Sequence, residues 1–285
     1  MGDFKKEADL IPWTGNLSLS SEGIWVSPNA SPVSYHSEDN DNYFRIEADS
    51  FWFAHRNNCI AQVLQRFPPQ GILFDVGGGN GFVSLGLNQN GFLTVLVEPG
   101  HDGARNAKAR GVRQVICSTF QDAGFPDYSL PSVGLFDVLE HIEDDHSFLK
   151  FLKLKLQKGG RIYITVPTFQ WLWSAEDSRA GHYRRYTKKG ICDLLRAEGF
   201  QVEYSTFFFS LLVFPIFLTR VLPYRLGLVW KLAGTQQLSE HRSLKGPLYR
   251  LLQGFLNWER KRIAQGTIGF GSSCAVVAKS CESEG

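Results

Sequence analysis

Ile72–Leu73–Phe74–Asp75–Val76–Gly77–Gly78–Gly79–Asn80–Gly81 decides the fold of this chain. Its first five residues read as a short buried strand. The next five form a turn with almost no side chains to crowd it, and residues 82–90 read as the helix that follows. Strand, glycine turn and helix together bring backbone N–H groups up against a ligand. Glycine at 77, 79 and 81 permits positive φ and close approach, because no Cβ blocks the path. The spacing is Asp-x-Gly-x-Gly-x-Gly. The dinucleotide fingerprint Gly-x-Gly-x-x-Gly needs Gly or Ala at 82, where this chain has Phe82. Residues 93–97 read as a second buried strand, ending in Glu98. A carboxylate at that tip can accept hydrogen bonds from both hydroxyls of a ribose.

Asp75-x-Gly77-x-Gly79-x-Gly81 followed by Glu98 resembles the S-adenosylmethionine (SAM) site of class I methyltransferases. For the turn alone, a purely structural use is the plain alternative, since a glycine-rich match is weak by itself. The resemblance implies an α/β, Rossmann-like fold with a mostly parallel seven-stranded sheet whose last strand is antiparallel. It implies SAM as cofactor, held by Asp75, Gly77, Gly78, Gly79, Gly81 and Glu98. It also implies an enzyme that methylates an acceptor the sequence does not name.

The chain has 285 residues, enough for one large α/β domain with additions, and at 43% hydrophobic it can bury a sizeable core. A net charge of +2 gives no reason to expect attraction of the whole molecule to nucleic acid. The charge is uneven. Residues 1–50 carry nine acids and three bases, whereas residues 220–262 carry nine Lys/Arg and two acids. The five cysteines (59, 117, 192, 274 and 281) form no Cys-x-x-Cys pair, so neither a disulfide frame nor a zinc site is expected. The first residues lack an apolar signal core, which makes a reducing, cytoplasmic setting the expectation.

Residues 1–48, with Pro12, Pro28 and Pro32 among many Ser, Asn and Asp, read as an irregular cap. Residues 24–26 and 33–35 read as a small hairpin there, and residues 38–42 as a solvated loop. From Asp49 or Ser50 a helix runs to about Arg66 and stops before Pro68–Pro69. It reads as a helix packed on the sheet edge. In the family it resembles, a helix here covers the cofactor, which implies Arg56 at the methionine carboxylate and an aromatic near the sulfonium. After the third strand (114–117), Ser118, Thr119 and Phe120 fall where the family places contacts to the adenine. Ordinary strand-end chemistry fits them as well.

The run Phe136–Asp137–Val138–Leu139–Glu140–His141 follows the fourth strand and resembles the signature of small-molecule methyltransferases, where this tip borders cofactor and substrate. His141 is a general-base candidate, since an imidazole titrates near ~6.5. A hydrogen-bonded support for the loop is the equal alternative. Residues 156–160 resemble the family's Leu-x-Pro-Gly-Gly turn, with Lys158 where proline is usual, and lead into a fifth strand over 161–167.

Trp171 to Thr187 is too polar and aromatic for a buried element and too patterned for a linker. It follows the fifth strand and so belongs over the carboxyl ends of the sheet. Its Gly-His-Tyr-Arg-Arg-Tyr-Thr run resembles a bacterial subgroup of class I methyltransferases. His182 is a second base candidate. Arg184 and Arg185 can form bidentate bonds with phosphate or carboxylate. Trp173, Asp177 and Tyr186 complete an acceptor side. The alternative is a structural clasp with Asp177 paired to an arginine.

A sixth strand over 200–208 and a last one over 271–278 complete the core, so residues 49–208 and 269–280 form the catalytic domain. Residues 209–268 are an apolar and basic helical insertion. Such a stretch suits a membrane surface, a lid over a greasy substrate, a dimer contact or a packed subdomain. The acceptor expected from this sequence is small or lipid-linked and anionic, at the inner face of a membrane. A non-catalytic SAM-fold module that docks a partner or membrane is the alternative function. No metal site is read from the sequence, and the oligomeric state stays open.

Overall fold

The computed structural model describes residues 16–29, 44, 46–228 and 246–281. Nine strands form one sheet: β1 Ser18–Leu19, β2 Trp25–Val26, β3 Leu73–Val76, β4 Thr94–Glu98, β5 Val115–Cys117, β6 Leu130–Phe136, β7 Leu156–Pro167, β8 Phe200–Phe208 and β9 Ser273–Ser280. Their order is β1-β2-β5-β4-β3-β6-β7-β9-β8. β9 runs antiparallel to both its neighbours, β1 is antiparallel to β2, and all other pairs are parallel.

The centre of the sheet is apolar on both faces, as parallel strands covered by helices must be. All residues of β3, β4 and β6 are buried. The chain leaves β3 for β4 on one side and later returns to β6 on the other. Strand order therefore reverses at β3, which opens a crevice at its carboxyl end.

The helices follow local signals. α1, Phe51–Arg66, begins after Ser50 and ends where Phe67 N bonds Val63 O ahead of Pro68. α2, Phe82–Gln89, starts from Gly81 in the left-handed region, and α3, His101–Arg110, stops at Gly111. α4, Asp145–Lys155, is capped by the Asp144 carboxylate on Ser147 N. α5, Ala175–Ala180, carries a capping box between Ser174 and Asp177, and Thr187 caps α6, Lys188–Ala197.

Among the described residues the sheet has nine strands where seven were expected. The two extra are the short β1 and β2, which extend the edge beyond β5. Residues 25–26 do form a strand, but their partner is Ser18–Leu19. The turn between them is closed by Gly23, and Ile24 is sealed against Ala104 and Ala107 of α3. The partner segment expected at 33–35 and the loop at 38–42 lie outside the described residues. β7 also begins earlier than expected, at Leu156, because the Lys158–Gly160 turn is accommodated as an irregularity in its pairing with β6.

Between β8 and β9 the described chain contains α7, Val213–Ile216, a π-helical turn Phe217–Val221, α8, Leu222–Arg225, and then α9, Pro247–Gln265. α9 lies along α1. The Arg66 guanidinium donates to the carbonyls of Ile263 and Gly266. No helix among the described residues is long and apolar enough to cross a membrane.

Candidate functional site

The glycine turn leaves β3 at the crevice. A Cβ added at Gly81 would meet Val112 Cγ2 at 2.7 Å and Ala107 Cβ at 2.8 Å, so the loop lies directly on α3. Added side chains at Gly77 and Gly78 would strike Val138 and Leu96 respectively. At Gly79 the situation is reversed: an added Cβ would meet nothing within 4 Å. The loop is therefore packed from behind and open on one face, as a cradle for a ligand backbone must be.

Asp75 supports this loop from beneath. It is fully buried, and its Oδ2 accepts from Ser84 Oγ at 2.7 Å, while Oδ1 has no partner. Burial pushes its carboxyl up to about 6, against the hydrogen bond from Ser84 and the charge of Arg56. Glu98 is 1% exposed and turned into the loop. Its Oε2 accepts from Gly79 N at 2.8 Å and its Oε1 from Gly100 N at 2.7 Å.

Thr119 and Phe120 follow β5. The Thr119 hydroxyl donates to Asp122 and caps that turn. The Phe120 ring is buried among Phe125, Phe148 and Phe151, and the Phe136 ring lies over Gly134 in β6. Both rings belong to the core. Arg56, from α1, donates to Asp137 Oδ2 at 2.6 Å. Asp137 stands just past β6 at φ 59° and also accepts from Thr165 Oγ1.

The second part of the site joins the β6 tip to the segment after β7. His141 and His182 meet edge to face, with ring centroids 4.7 Å apart. His182 Nδ1 is 2.9 Å from Asp177 Oδ1. Asp177 is gripped by the Arg185 fork at 2.7 and 3.0 Å and by Ser174 N. Burial raises the Asp177 carboxyl, but the bonds from His182 and Arg185 outweigh it and hold it at about 2. Burial first, and His182 second, push the His141 imidazole down to about 4. It is therefore neutral at pH 7, and as a free base it is weaker than an ordinary histidine. Burial and the nearby Asp137 push the Glu140 carboxyl well up.

Arg184, Tyr186 and Trp173 of the Trp171–Thr187 stretch are engaged within the fold, while Trp171 and Tyr183 are exposed. Arg184 pairs with Asp145 at 2.7 Å and donates to Glu143 O. Tyr186 donates to Asp145 Oδ2 at 2.7 Å, and its backbone bridges to Thr168. Trp173 Nε1 donates to Ser178 Oγ. Asp177 is thus paired to an arginine, as the clasp alternative expected, while the same clasp delivers His182 to the β6 tip.

A family profile described as a methyltransferase domain matches residues 52–205, more than half of the chain. The chain is a class I, SAM-dependent methyltransferase. Solved structures of similar fold include a Haloferax volcanii methyltransferase in complex with its Trm112 activator. That structure has TM-score 0.56 and 15% identity, over 87% of this chain and 99% of that one. A SAM-dependent methyltransferase from Thermotoga maritima has TM-score 0.51 and 16% identity, over 85% and 94%. Phosphoethanolamine N-methyltransferase 2 of Haemonchus contortus, solved with SAM, has TM-score 0.52 and 18% identity, over 87% and 58%. No curated protein matches the sequence.

The methyltransferase's own residues fit SAM. The loop is open at Gly79, Asp75 Oδ1 is an orphaned acceptor, and a carboxylate stands at the β4 tip. Glu47 and Arg110 form a further buried pair at 2.6 Å, and Glu47 also bonds Asn80 of the glycine loop. Glu47 sits in a stretch with no periodic pattern, so no signal could have found it. Asp137 and Glu140 were within reach, since both lie in the run that ends at His141.

Proposed function

We propose that this methyltransferase transfers the sulfonium methyl of SAM, by in-line attack, to a small or lipid-linked acceptor. The observation that carries the reading is the open face at Gly79 beside the buried Glu98 carboxylate. When bound, SAM supplies a methyl carbon made electrophilic by its sulfonium. Gly77, Gly78, Gly79 and Gly81, backed by Asp75, receive the methionine end together with Arg56. Glu98 holds the ribose, and the chain at Thr119, Phe120 and Phe136 borders the base. Most of the acceleration comes from holding acceptor and methyl in line.

His141 and His182 are the catalytic pair on the acceptor side. Asp177 and Arg185 fix the orientation of His182. Arg184 and Tyr186 fix the loop after β6 through Asp145, and Trp173 walls the acceptor's approach. In this reading the described part of 1–48 caps the domain formed by 49–208 and 269–280. The greasy part of the acceptor is supported by the described part of the 209–268 insertion. There Phe214 and Leu218 are 71% and 60% exposed, with Leu211, Leu226 and Leu228 also exposed and Arg225 bonded to Trp171 O. An exposed apolar face this concentrated marks an interaction surface, and the basic residues around it favour an anionic one. Cytoplasmic residence beside the inner membrane face follows from the same reading.

The test is titration calorimetry with SAM and with S-adenosylhomocysteine on wild type and Glu98→Ala. Saturable binding that weakens at least tenfold in the variant supports the reading. A folded wild-type protein that binds neither ligand overturns it.

A further inference from the structure

Glu140, His141 and His182 each offer one ligand atom, and these atoms lie within 4.8 Å of one another. Donors sharing one transition ion at about 2.1 Å sit roughly 3–4 Å apart, so about 1 Å of side-chain closure separates this cluster from a ligating set. Two of these residues carry a polar atom without a hydrogen-bond partner: Oε2 of Glu140, a residue 1% exposed, and Nδ1 of His141. Buried polar atoms are nearly always satisfied, so a pair of orphans in one cluster calls for a ligand.

The third donor is oriented from behind. His182 Nδ1 is engaged by Asp177 Oδ1, which leaves Nε2 for a ligand. Asp177 is itself locked by Arg185 and Ser174. A carboxylate behind a histidine is the usual outer support of a metal-bound imidazole. Asp137 stays outside the set, because Arg56 and Thr165 already occupy its oxygens.

We propose that Glu140, His141 and His182 bind a divalent first-row transition ion at the carboxyl tip of β6. One carboxylate and two imidazoles suit zinc, manganese, iron or cobalt, whereas calcium and magnesium prefer all-oxygen sets. Three protein ligands leave positions open for water or for an oxygen of the acceptor. An acceptor hydroxyl held there gives up its proton more readily, to solvent water; its oxygen then takes the SAM methyl as the sulfur–methyl bond breaks and S-adenosylhomocysteine leaves, and the histidine pair serves by ligation rather than as a free base. That use of the ion rests on the methyltransferase reading; the binding site itself does not.

The experiment is a Co2+ titration of full-length, tag-free, chelator-treated protein, read by visible absorption and by metal content after desalting. Wild type is expected to hold one Co2+ per chain, displaced by Zn2+. Glu140→Gln and His182→Gln, each checked for native circular dichroism, are expected to bind at least tenfold more weakly. His146→Ala, on an exposed histidine paired with Glu198, is expected to bind as wild type does. Absence of stoichiometric binding, or binding unchanged in both folded site variants, overturns the proposal. SAM calorimetry on the metal-free protein is read separately, so loss of the metal site and loss of the methyltransferase reading are distinguishable.

Discussion

Arg56 Nη1 lies 2.6 Å from Asp137 Oδ2, an ion pair that ties α1 to the tip of β6 across the crevice. Both groups are mostly shielded, with side chains 14% and 27% exposed. Asp137 also holds a left-handed backbone at φ 59°, which Asp and Asn tolerate better than other side chains. Removing one partner of a shielded pair leaves the other uncompensated. Arg56→Ala is therefore expected to cost about 2 kcal/mol in urea unfolding. Asp137→Asn keeps the backbone and removes the charge. The double variant is expected to show a coupling energy of about 1 kcal/mol or more. Additive single-variant effects would show that the pair contributes nothing to stability.

Asp75 makes stability depend on pH in an unusual direction. Its carboxyl titrates at about 6 in the folded chain, because burial disfavours its charge more than Ser84 and Arg56 favour it. In the unfolded chain it titrates near ~3.9. Between these values the folded state binds the extra proton, so stability falls as pH rises from about 4 to about 6. The ceiling on this effect is about 3 kcal/mol. Asp75→Asn is expected to flatten that part of the pH profile measured by urea unfolding. A variant that keeps the wild-type slope would assign it to other carboxylates.

The geometry of the half proposed for the cofactor was legible in the sequence because it is local. Gly77 to Gly81 shape the turn through their backbone and Glu98 stands at a strand end, and each is written in a short run of residues. The central strands were legible for the same reason, as unbroken apolar runs. The half proposed for the acceptor was only partly legible. Histidine at 141 and at 182 could be marked as bases, but not as neighbours 41 positions apart whose rings touch. That Arg185 is spent on Asp177, and Arg184 on Asp145, follows from long-range packing that no spacing rule encodes. The edge hairpin β1–β2 was half legible: residues 25–26 carried β-propensity, but Ser18–Leu19 carried none.

Glu259 locks the segment between β8 and β9 onto the core. It is fully buried on α9, accepts from Phe209 N and Ser210 N, and lies 2.8 Å from His55 Nε2 on α1. Burial raises its carboxyl, but the bonds from His55 and Ser210 outweigh it and hold it down. Glu259→Ala strands two backbone donors at once. The expected loss is about 2–4 kcal/mol, with faster hydrogen exchange at Phe209 and Ser210. Glu259→Gln keeps one acceptor oxygen and is expected to lose less. Unchanged exchange at both amides in Glu259→Ala would show that the lock lies elsewhere.

Phe214 and Leu218 test the surface proposed for a lipid-linked acceptor. They stand one helical turn apart and are 71% and 60% exposed, with no packing role to lose. Phe214→Ser and Leu218→Ser are therefore expected to leave thermal stability within about 0.5 kcal/mol of wild type. Burying two such side chains in a bilayer interface is worth roughly 1.5–3 kcal/mol each at full burial, so together they govern partition. The double variant is expected to lose at least tenfold in affinity for anionic vesicles in a sedimentation assay, while SAM affinity stays unchanged, since neither residue belongs to the glycine loop. Wild type that ignores anionic vesicles, or a double variant that binds them equally well, would turn the acceptor search toward soluble small molecules.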